Sequence, residues 1–386
     1  MQRKALSIFA AGAVAAAVAV GPAALPAQAS TGEVMVAGTN LGGGLYFEWQ
    51  TDGTSTWHKE TVSSAGGWDS PSMAVSSSGN VVIAAVDALT DTLYYWWQAY
   101  GSTSWNQQQV SATGAVNQGS VSIAVQQQNA GEPGDVVIVA ENDDPEENGP
   151  AFTYYYQAFG TAPWNTETLP GGYDGQSDPY VTVAPNDSVV VIFSPGLINP
   201  DVVSGFWLDQ LPYLSSTWSS LHVSTGNSVD DPVVVEQPGG GFNVADINDD
   251  GGVDYYWSPA DDIYDWYGQT VSTTAGSTTQ SGVSIANDTA SSEIAIAAIS
   301  GSCEDSFLQG YGQTGWPAKS MGCPGSYPDN PEIAAESTGG LVATGSAQSG
   351  QAYFYWQDTS GAWHTESLPG LTGVSGTQVA IASYNP

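Results

Sequence analysis

The chain has 386 residues, of which 39 are Asp or Glu and only 4 are Lys or Arg, so its formal net charge at pH 7 is −35. This acidity excludes nucleic acids and anionic membranes as partners, because both require a positive protein surface. It also argues against lyases of acidic polysaccharides, since these need cations that neutralise the carboxylates of the substrate.

The N-terminus has the features of a secretory signal peptide. The basic pair Arg3-Lys4 precedes an apolar run over residues 5–20, and a small-residue cleavage site follows at residues 27–29. This order is typical of a cleaved export signal, and the apolar run is too short to span a bilayer comfortably. We therefore predict a signal peptide at residues 1–29, a single domain at residues 30–386 and a secreted, extracellular protein.

The chain has two cysteines, Cys303 and Cys323. In an exported protein a disulfide is the default for such a pair, in preference to two reactive thiols. A loop of this length predicts a stabilisation of about 3 kcal/mol.

A segment consisting of an aromatic strand, a polar turn and a Trp occurs seven times, about every 50 residues, which is the period of a repeat protein. Six of the seven copies also have a Gln between the aromatic residues and the turn. The repeated tryptophans are Trp57, Trp105, Trp164, Trp218, Trp266, Trp316 and Trp363. Before each aromatic strand lies a β-branched run, at residues 34–37, 81–86, 136–140, 189–193, 242–245, 294–298 and 341–344. A further short apolar run belongs to each repeat, at residues 73–75, 121–125, 181–183, 233–235, 283–286, 333–335 and 379–382.

Four short strands per repeat predict an all-β protein whose repeats are the blades of a β-propeller. The first predicted strand, at Val34, corresponds to the second strand of a blade, and the last, at residues 379–382, corresponds to the first strand of a blade. The C-terminal strand can therefore complete the N-terminal blade. We predict a seven-bladed β-propeller with four-stranded blades, closed by the C-terminal strand; a pair of β-sandwiches is the alternative.

Residues 246–254 form the most specific motif. Oxygen-bearing side chains at alternate positions and a Gly at the sharp turn suit Ca²⁺, although the bidentate Glu and the helices of an EF-hand are missing. Residues 242–257 resemble the FG-GAP/VCBS propeller repeat, whose loop has the form D-x-N-x-D-G-x-x-D. The resemblance implies a structural calcium ion with Asp246, Asn248, Asp250 and Asp254 as side-chain ligands and Gly252 as a backbone ligand. The alternative is an Asp/Asn/Gly turn that needs no metal.

The repeated Trp residues and the Gln residues that precede them have two interpretations. They are candidate sugar-binding residues, because aromatic rings stack on sugars and amides bond to hydroxyls. A residue present in every blade is also explained by packing between blades, and we favour this interpretation. The candidate ligand-binding residues are Gln50, Trp57, Gln98, Trp105, Gln157, Trp164, Gln357 and Trp363.

Carboxylates just before the innermost strands form a third candidate site. Asp178 and Asp231 belong to consecutive blades and would reach the central funnel, where two carboxylates can serve as acid and base in glycoside hydrolysis. Asp69 and Asp329 occupy related positions. Ordinary turn chemistry before a proline is the alternative, and we favour it because the position is shared among blades.

The whole blade pattern resembles that of secreted seven-bladed propeller lectins of the fucose-binding and related bacterial kinds. The resemblance implies sugar pockets between blades, made from aromatic rings and polar side chains that often include Arg. Beyond residue 29 this chain has no Arg, so the sugar specificity of the family does not carry over.

The sequence therefore predicts a secreted, monomeric, calcium-stabilised carbohydrate-binding propeller whose partners are neutral or basic glycans. Two alternatives remain. One is a glycoside hydrolase that uses Asp178 and Asp231, and the other is a non-catalytic scaffold that binds proteins or cationic peptides.

Overall fold

The structure is a computed structural model. It describes residues 32–384 except 41, 52–53, 65, 127–133, 143–150, 171–177, 185, 195–204, 214, 226–228, 238–239, 249, 261–262, 273–281, 301–302, 324–328, 337–338, 348 and 373–378. The predicted signal peptide lies outside the described residues. Within them, no helix is long and apolar enough to cross a membrane.

The described residues form 28 strands in seven antiparallel four-stranded sheets. Blade 1 contains β1 (Glu33–Thr39), β2 (Leu45–Thr51) and β3 (His58–Ser63), with β28 (Val379–Tyr384) as its first strand. Blade 2 contains β4 (Trp68–Val75), β5 (Val81–Asp87), β6 (Thr92–Gln98) and β7 (Asn106–Gln109), and blade 3 contains β8 (Val116–Val125), β9 (Asp135–Asn142), β10 (Phe152–Ala158) and β11 (Asn165–Thr168). Blade 4 contains β12 (Tyr180–Val183), β13 (Val189–Phe193), β14 (Gly205–Leu211) and β15 (Ser219–Ser224), and blade 5 contains β16 (Val229–Glu236), β17 (Phe242–Asn248), β18 (Val253–Trp257) and β19 (Tyr267–Ser272). Blade 6 contains β20 (Val283–Asp288), β21 (Glu293–Ser300), β22 (Cys303–Gly310) and β23 (Ala318–Gly322), and blade 7 contains β24 (Asp329–Glu336), β25 (Gly340–Ser346), β26 (Ala352–Gln357) and β27 (Trp363–Ser367).

The second strand of each blade is a continuous apolar run rather than an alternating one. In β5, six consecutive residues from Val81 to Val86 are buried. A strand in the middle of a blade is covered on both faces by the neighbouring blades, so both sets of its side chains are apolar. Hydrophobic clusters accordingly lie between all seven pairs of adjacent blades.

The ring closes as the sequence predicts. Strand β28 pairs with β1, with Ala382 opposite Met35 and Val379 opposite Gly38. Residues of all seven first strands, or directly next to them, line one cavity of about 190 Å³ on the propeller axis. The prediction of a seven-bladed β-propeller is therefore confirmed.

Several first strands begin earlier than the sequence indicates. Asp69, Asp231 and Asp329 lie inside β4, β16 and β24 instead of before them, and the strand register shifts by a bulge next to each. Ser70 and Asp231, which each precede a Pro, have φ angles of 51° and 47°. A bulge accommodates a proline that cannot donate a backbone hydrogen bond, so strand pairing continues past it.

The predicted disulfide is present. Cys303 begins β22 and Cys323 directly follows β23, with their Cα atoms 4.0 Å apart. The bridge joins the open end of the outer hairpin of blade 6, where Glu304 pairs with Gly322.

Candidate functional site

The repeated tryptophans lie at the interfaces between blades. At six interfaces the indole contacts an aromatic ring on the third strand of the preceding blade edge to face. The centroid distances are 4.9–5.3 Å and the interplanar angles 67–86°. The six pairs are Trp57–Phe354, Trp105–Phe47, Trp164–Tyr95, Trp218–Tyr154, Trp266–Phe206 and Trp316–Tyr255. At the seventh, Trp363 Nε1 donates to Ser306 Oγ at 2.8 Å.

The fourth-strand residue three positions after each repeated Trp faces the next blade, and we call this the bridging position. At the interface of blades 1 and 2 it is Glu60. Its Oε2 accepts hydrogen bonds from Gln98 Nε2 at 2.6 Å and Trp105 Nε1 at 2.9 Å. The candidate sugar-binding pair Gln98 and Trp105 is therefore brought together, and a carboxylate of the preceding blade bonds to both.

Other interfaces have related contacts. Glu167 accepts from Trp218 Nε1 at 3.0 Å between blades 3 and 4. Gln108 accepts from Gln157 Nε2 at 3.3 Å between blades 2 and 3. Glu366 lies beside the indole of Trp57 between blades 7 and 1. Trp266 differs, because its Nε1 donates to the Ile263 carbonyl within its own blade, at 2.8 Å.

The remaining Gln candidates have less uniform surroundings. Gln357 Nε2 donates to the Gly361 carbonyl of its own hairpin at 3.3 Å. The buried Oε1 atoms of Gln50 and Gln157 have no hydrogen-bond partner among the described residues. The Gln that precedes the repeated Trp thus has different partners in different blades.

A cavity of about 420 Å³ lies between blades 5 and 6. Its walls include the rings of Tyr255, Trp257 and Tyr311 and the amides of Gln269 and Gln309. Tyr255 and Trp257 stack with centroids 5.4 Å apart and an interplanar angle of 18°. The cavity therefore combines an aromatic wall with neutral hydrogen-bonding groups.

Two polar groups of this cavity have unused hydrogen-bonding capacity. Gln309 Nε2 and the Tyr311 hydroxyl are buried and have no partner within the described part of the chain. Burial raises the pKa of Tyr311, and the nearby Asp288 carboxylate adds to this effect. The hydroxyl therefore stays protonated and can donate.

A hydrogen-bonded network holds one wall of the cavity. The Tyr255 hydroxyl and Gln237 Nε2 both donate to Asn243 Oδ1, at 2.7 and 2.9 Å. Asn243 Nδ2 in turn donates to Asn287 Oδ1 at 2.9 Å. Such a network presents Tyr255 to a ligand in a fixed orientation.

Our sequence predictions did not include Gln269, Tyr311 or Asn243. The signal for Asn243 was its polarity within residues 242–245, whose other members are apolar. Tyr311 lies in a polar hairpin of varied sequence, and Gln269 follows Trp266 by the same three residues that separate Glu60 from Trp57. Only the contacts between blades distinguish these positions.

In the predicted calcium loop, Asp246 and Asp254 are register partners on β17 and β18 and are 0% and 3% exposed. Asp254 Oδ1 has no hydrogen-bond partner among the described atoms. Two buried carboxylates on adjacent strands are costly without a compensating positive charge. This pair therefore fits a cation.

The rest of the loop forms a closed turn. Asn248 Oδ1 accepts from the backbone N–H groups of Asp250 and Gly252 at 3.1 and 2.9 Å, and its Nδ2 donates to Asp254 Oδ2 at 3.0 Å. The Gly252 carbonyl accepts from the Asn248 N–H at 2.9 Å. Within the described residues, no three His, Cys, Asp or Glu side chains are placed to share one metal ion. Asn248 and Gly252 are thus engaged in the turn, and only the two buried carboxylates match the predicted ligand set.

Asp178 and Asp231 both line the axial cavity, together with Tyr180 and Glu332. Burial raises the pKa of Glu332 to about 7, although a hydrogen bond from Ser284 opposes the shift. The structure therefore brings the two predicted carboxylates to one cavity and adds a third, which sequence reasoning missed.

The fold defines the chain as a seven-bladed β-propeller. No protein-family model matches it, and no curated protein matches its sequence. Among solved structures it is similar to a lectin from Burkholderia pseudomallei, with 13% identity, a TM-score of 0.65 and coverage of 88% of this chain and 99% of that one. It is also similar to a variant of the Aleuria aurantia lectin in complex with alpha-methyl-L-fucoside, with 12% identity, a TM-score of 0.51 and coverage of 80% and 97%. A protein of unknown function from Dyadobacter fermentans has 10% identity, a TM-score of 0.52 and coverage of 83% and 95%.

Proposed function

We propose that the protein is a carbohydrate-binding propeller that holds sugars between its blades. The observation that carries this proposal is the cavity between blades 5 and 6, where aromatic rings meet buried polar groups without a partner in the described chain. A sugar ring offers an apolar face for the aromatic wall and hydroxyls for the amides, so its two kinds of surface match those of the cavity. The similarity to lectin structures agrees with the proposal.

The charge of the chain favours neutral or basic glycans. Among the described residues, no Lys, Arg or His lines the cavity, and the whole chain is strongly acidic. An acidic sugar would lose its hydration without gaining a charged partner, which is unfavourable. The protein should therefore discriminate against uronic and sialic acids.

The proposal includes a structural calcium ion held by Asp246 and Asp254. Support comes from the burial of both carboxylates on neighbouring strands. A bound cation would compensate their charge and hold the turn between β17 and β18. The proposal also includes export, which rests on the N-terminal pattern of residues 1–29 and predicts that the mature protein begins at Ser30.

The test is a binding screen of the mature, calcium-loaded protein on a broad panel of immobilised glycans at pH 5 and pH 7. We expect retention on neutral glycans that are recovered intact. Failure to bind any glycan would contradict the proposal. Binding to a basic protein in its place, weakened by salt, would favour the scaffold alternative.

A glycoside hydrolase is the second candidate, because Asp178, Asp231 and Glu332 line one cavity. A carboxyl with a pKa near 7 suits a general acid. Loss of turnover with retained binding in Asp178→Asn and Asp231→Asn would establish this function. The absence of turnover in the unmodified protein would exclude it for the glycans examined.

A further inference from the structure

We propose that each chain binds sugar at a single blade interface, in the cavity between blades 5 and 6, rather than at each of the seven interfaces. This inference rests on the proposed carbohydrate-binding function. It adds which interface binds and how many sugars one chain takes. The residue at the bridging position, defined above, differs from one interface to the next.

Between blades 1 and 2 and between blades 3 and 4, the bridging residue is a glutamate that uses the polar groups that a sugar would need. Glu60 bonds to both Gln98 and Trp105, and Glu167 bonds to Trp218 and to the Tyr156 hydroxyl. A sugar entering these interfaces would have to replace charge-assisted hydrogen bonds, which are the stronger kind. These interfaces are therefore closed by the chain itself.

Between blades 5 and 6 the bridging residue is Gln269, and it turns away from the Gln and Trp of blade 6. Its Nε2 donates to the Thr314 carbonyl in the hairpin of blade 6, at 3.0 Å. Gln309 Nε2 and Trp316 Nε1 both lack a hydrogen-bond partner among the described residues. The position that Glu60 fills in blade 1 is thus open here, and the cavity of about 420 Å³ lies beside it.

The interface of blades 2 and 3 is the nearest comparison, because its bridging residue is also a glutamine. There Gln108 does accept from Gln157, although Trp164 Nε1 has no partner in the described structure. In blade 6, Tyr311 lies two residues after the repeated Gln. In blade 3 the same position is occupied by Phe159. This interface therefore lacks both an unbonded amide NH₂ group like that of Gln309 and the hydroxyl.

The groups that remain define the ligand as an uncharged sugar. Gln309 Nε2 and the Tyr311 hydroxyl can donate to sugar oxygens, and the amide oxygen of Gln269 can accept from a hydroxyl. Trp257, which stacks with Tyr255 and Tyr267, lines the cavity and offers apolar surface to the sugar. The carboxylate of Asp288, close enough to Tyr311 to raise its pKa, would repel an acidic sugar.

The test is a calorimetric titration of the mature, calcium-loaded protein with α-methyl-L-fucoside, methyl α-D-mannoside, methyl β-D-galactoside and N-acetylglucosamine, with D-glucuronate as the acidic comparison. We expect about one sugar per chain for any neutral glycoside that binds, and no binding of glucuronate. Gln269→Glu places a carboxylate at the bridging position of blades 5 and 6, where Glu60 has one at the closed interface of blades 1 and 2. It should weaken binding about tenfold or more, because the new carboxylate competes for Gln309 and Trp316. Gln108→Glu is the matched control at a closed interface and should leave the affinity unchanged.

The outcomes separate this inference from the function on which it rests. A stoichiometry of several sugars per chain would overturn the single site and leave the lectin function intact, as would wild-type affinity in a folded Gln269→Glu variant. Absence of binding by every glycoside in the titration and every glycan in the screen would overturn both. Melting curves of both variants show whether a lost affinity reflects lost folding.

Discussion

Trp57 of blade 1 contacts Phe354 of blade 7 edge to face, with ring centroids 5.1 Å apart and an interplanar angle of 79°. This contact lies where the two ends of the chain meet. It has the geometry of the five other aromatic pairs around the ring, so the closing interface is packed like the internal ones. Ring closure therefore depends on this pair as well as on the pairing of β28 with β1.

We expect Trp57→Ala and Phe354→Ala each to lower the free energy of unfolding by about 3 kcal/mol, because each removes a large ring from an interface. In a double-mutant cycle the two should couple by about 1 kcal/mol. Denaturant unfolding followed by tryptophan fluorescence measures both quantities. Ser55→Ala, in the exposed turn before Trp57, is the control. Additive effects would show that the two rings do not stabilise one another.

Stability should fall as the pH rises from 5 to 8. Burial raises the pKa of Glu48 to about 7, against the effect of Lys59, and that of Glu304 to about 8, against a hydrogen bond from Tyr355. Both side chains are fully buried. The unfolded chain releases these protons near its ordinary pKa of 4.5, so the folded state binds more protons between pH 4.5 and 8 and loses stability across that range.

The melting temperature should therefore be lower at pH 8 than at pH 5 by an amount on the order of 5 °C. Repulsion among the many acidic residues acts in the same direction. Glu304→Gln separates the two causes, because it removes one buried titrating group and leaves the surface charge nearly unchanged. Its melting temperature should depend less steeply on pH. An unchanged slope would mean that Glu304 does not contribute and that surface repulsion, with or without Glu48, is responsible.

Removal of calcium should destabilise the protein if Asp246 and Asp254 hold the ion. At a calcium concentration about 100 times the dissociation constant, a bound ion contributes about 2.7 kcal/mol. We therefore expect a chelator to lower the melting temperature by several degrees. Asp254→Asn should abolish the difference between chelator and calcium, whereas the exposed Asp265→Asn should retain it. Equal melting temperatures of the unmodified protein in chelator and calcium would favour the turn that needs no metal.

Tyr311→Phe should weaken sugar binding without lowering stability. The hydroxyl is buried and has no partner in the described structure, so its removal costs no intramolecular hydrogen bond and is neutral or stabilising. Loss of one hydrogen bond to the sugar predicts an affinity about 5- to 10-fold lower. Calorimetry and thermal unfolding of the same sample measure the two effects. Unchanged affinity would place the sugar away from Tyr311.

The central part of each strand, the number of blades, the closing strand and the disulfide were predictable from the sequence, whereas the starts of several first strands were not. Strand formation and turn chemistry are local, and sevenfold repetition strengthens a weak local signal. The bulges at Asp69, Asp231 and Asp329 were not predicted, because a proline after a polar residue is equally consistent with a turn. In the calcium loop the motif was visible, but the engagement of Asn248 in the turn was not.

Only the tertiary structure decided which interface is open. Gln98 and Trp105 have the same spacing as Gln309 and Trp316, although the first pair bonds to a neighbouring blade and the second has Nε2 and Nε1 atoms without a partner in the described structure. The deciding residue lies on the preceding blade, as in the bond between Glu60 and Gln98, which are 38 residues apart in the chain. Glu60 closes its interface, whereas Gln269 at the corresponding position does not. A difference of one side-chain group decides which polar groups stay free at an interface, because the ring brings each bridging residue against the next blade.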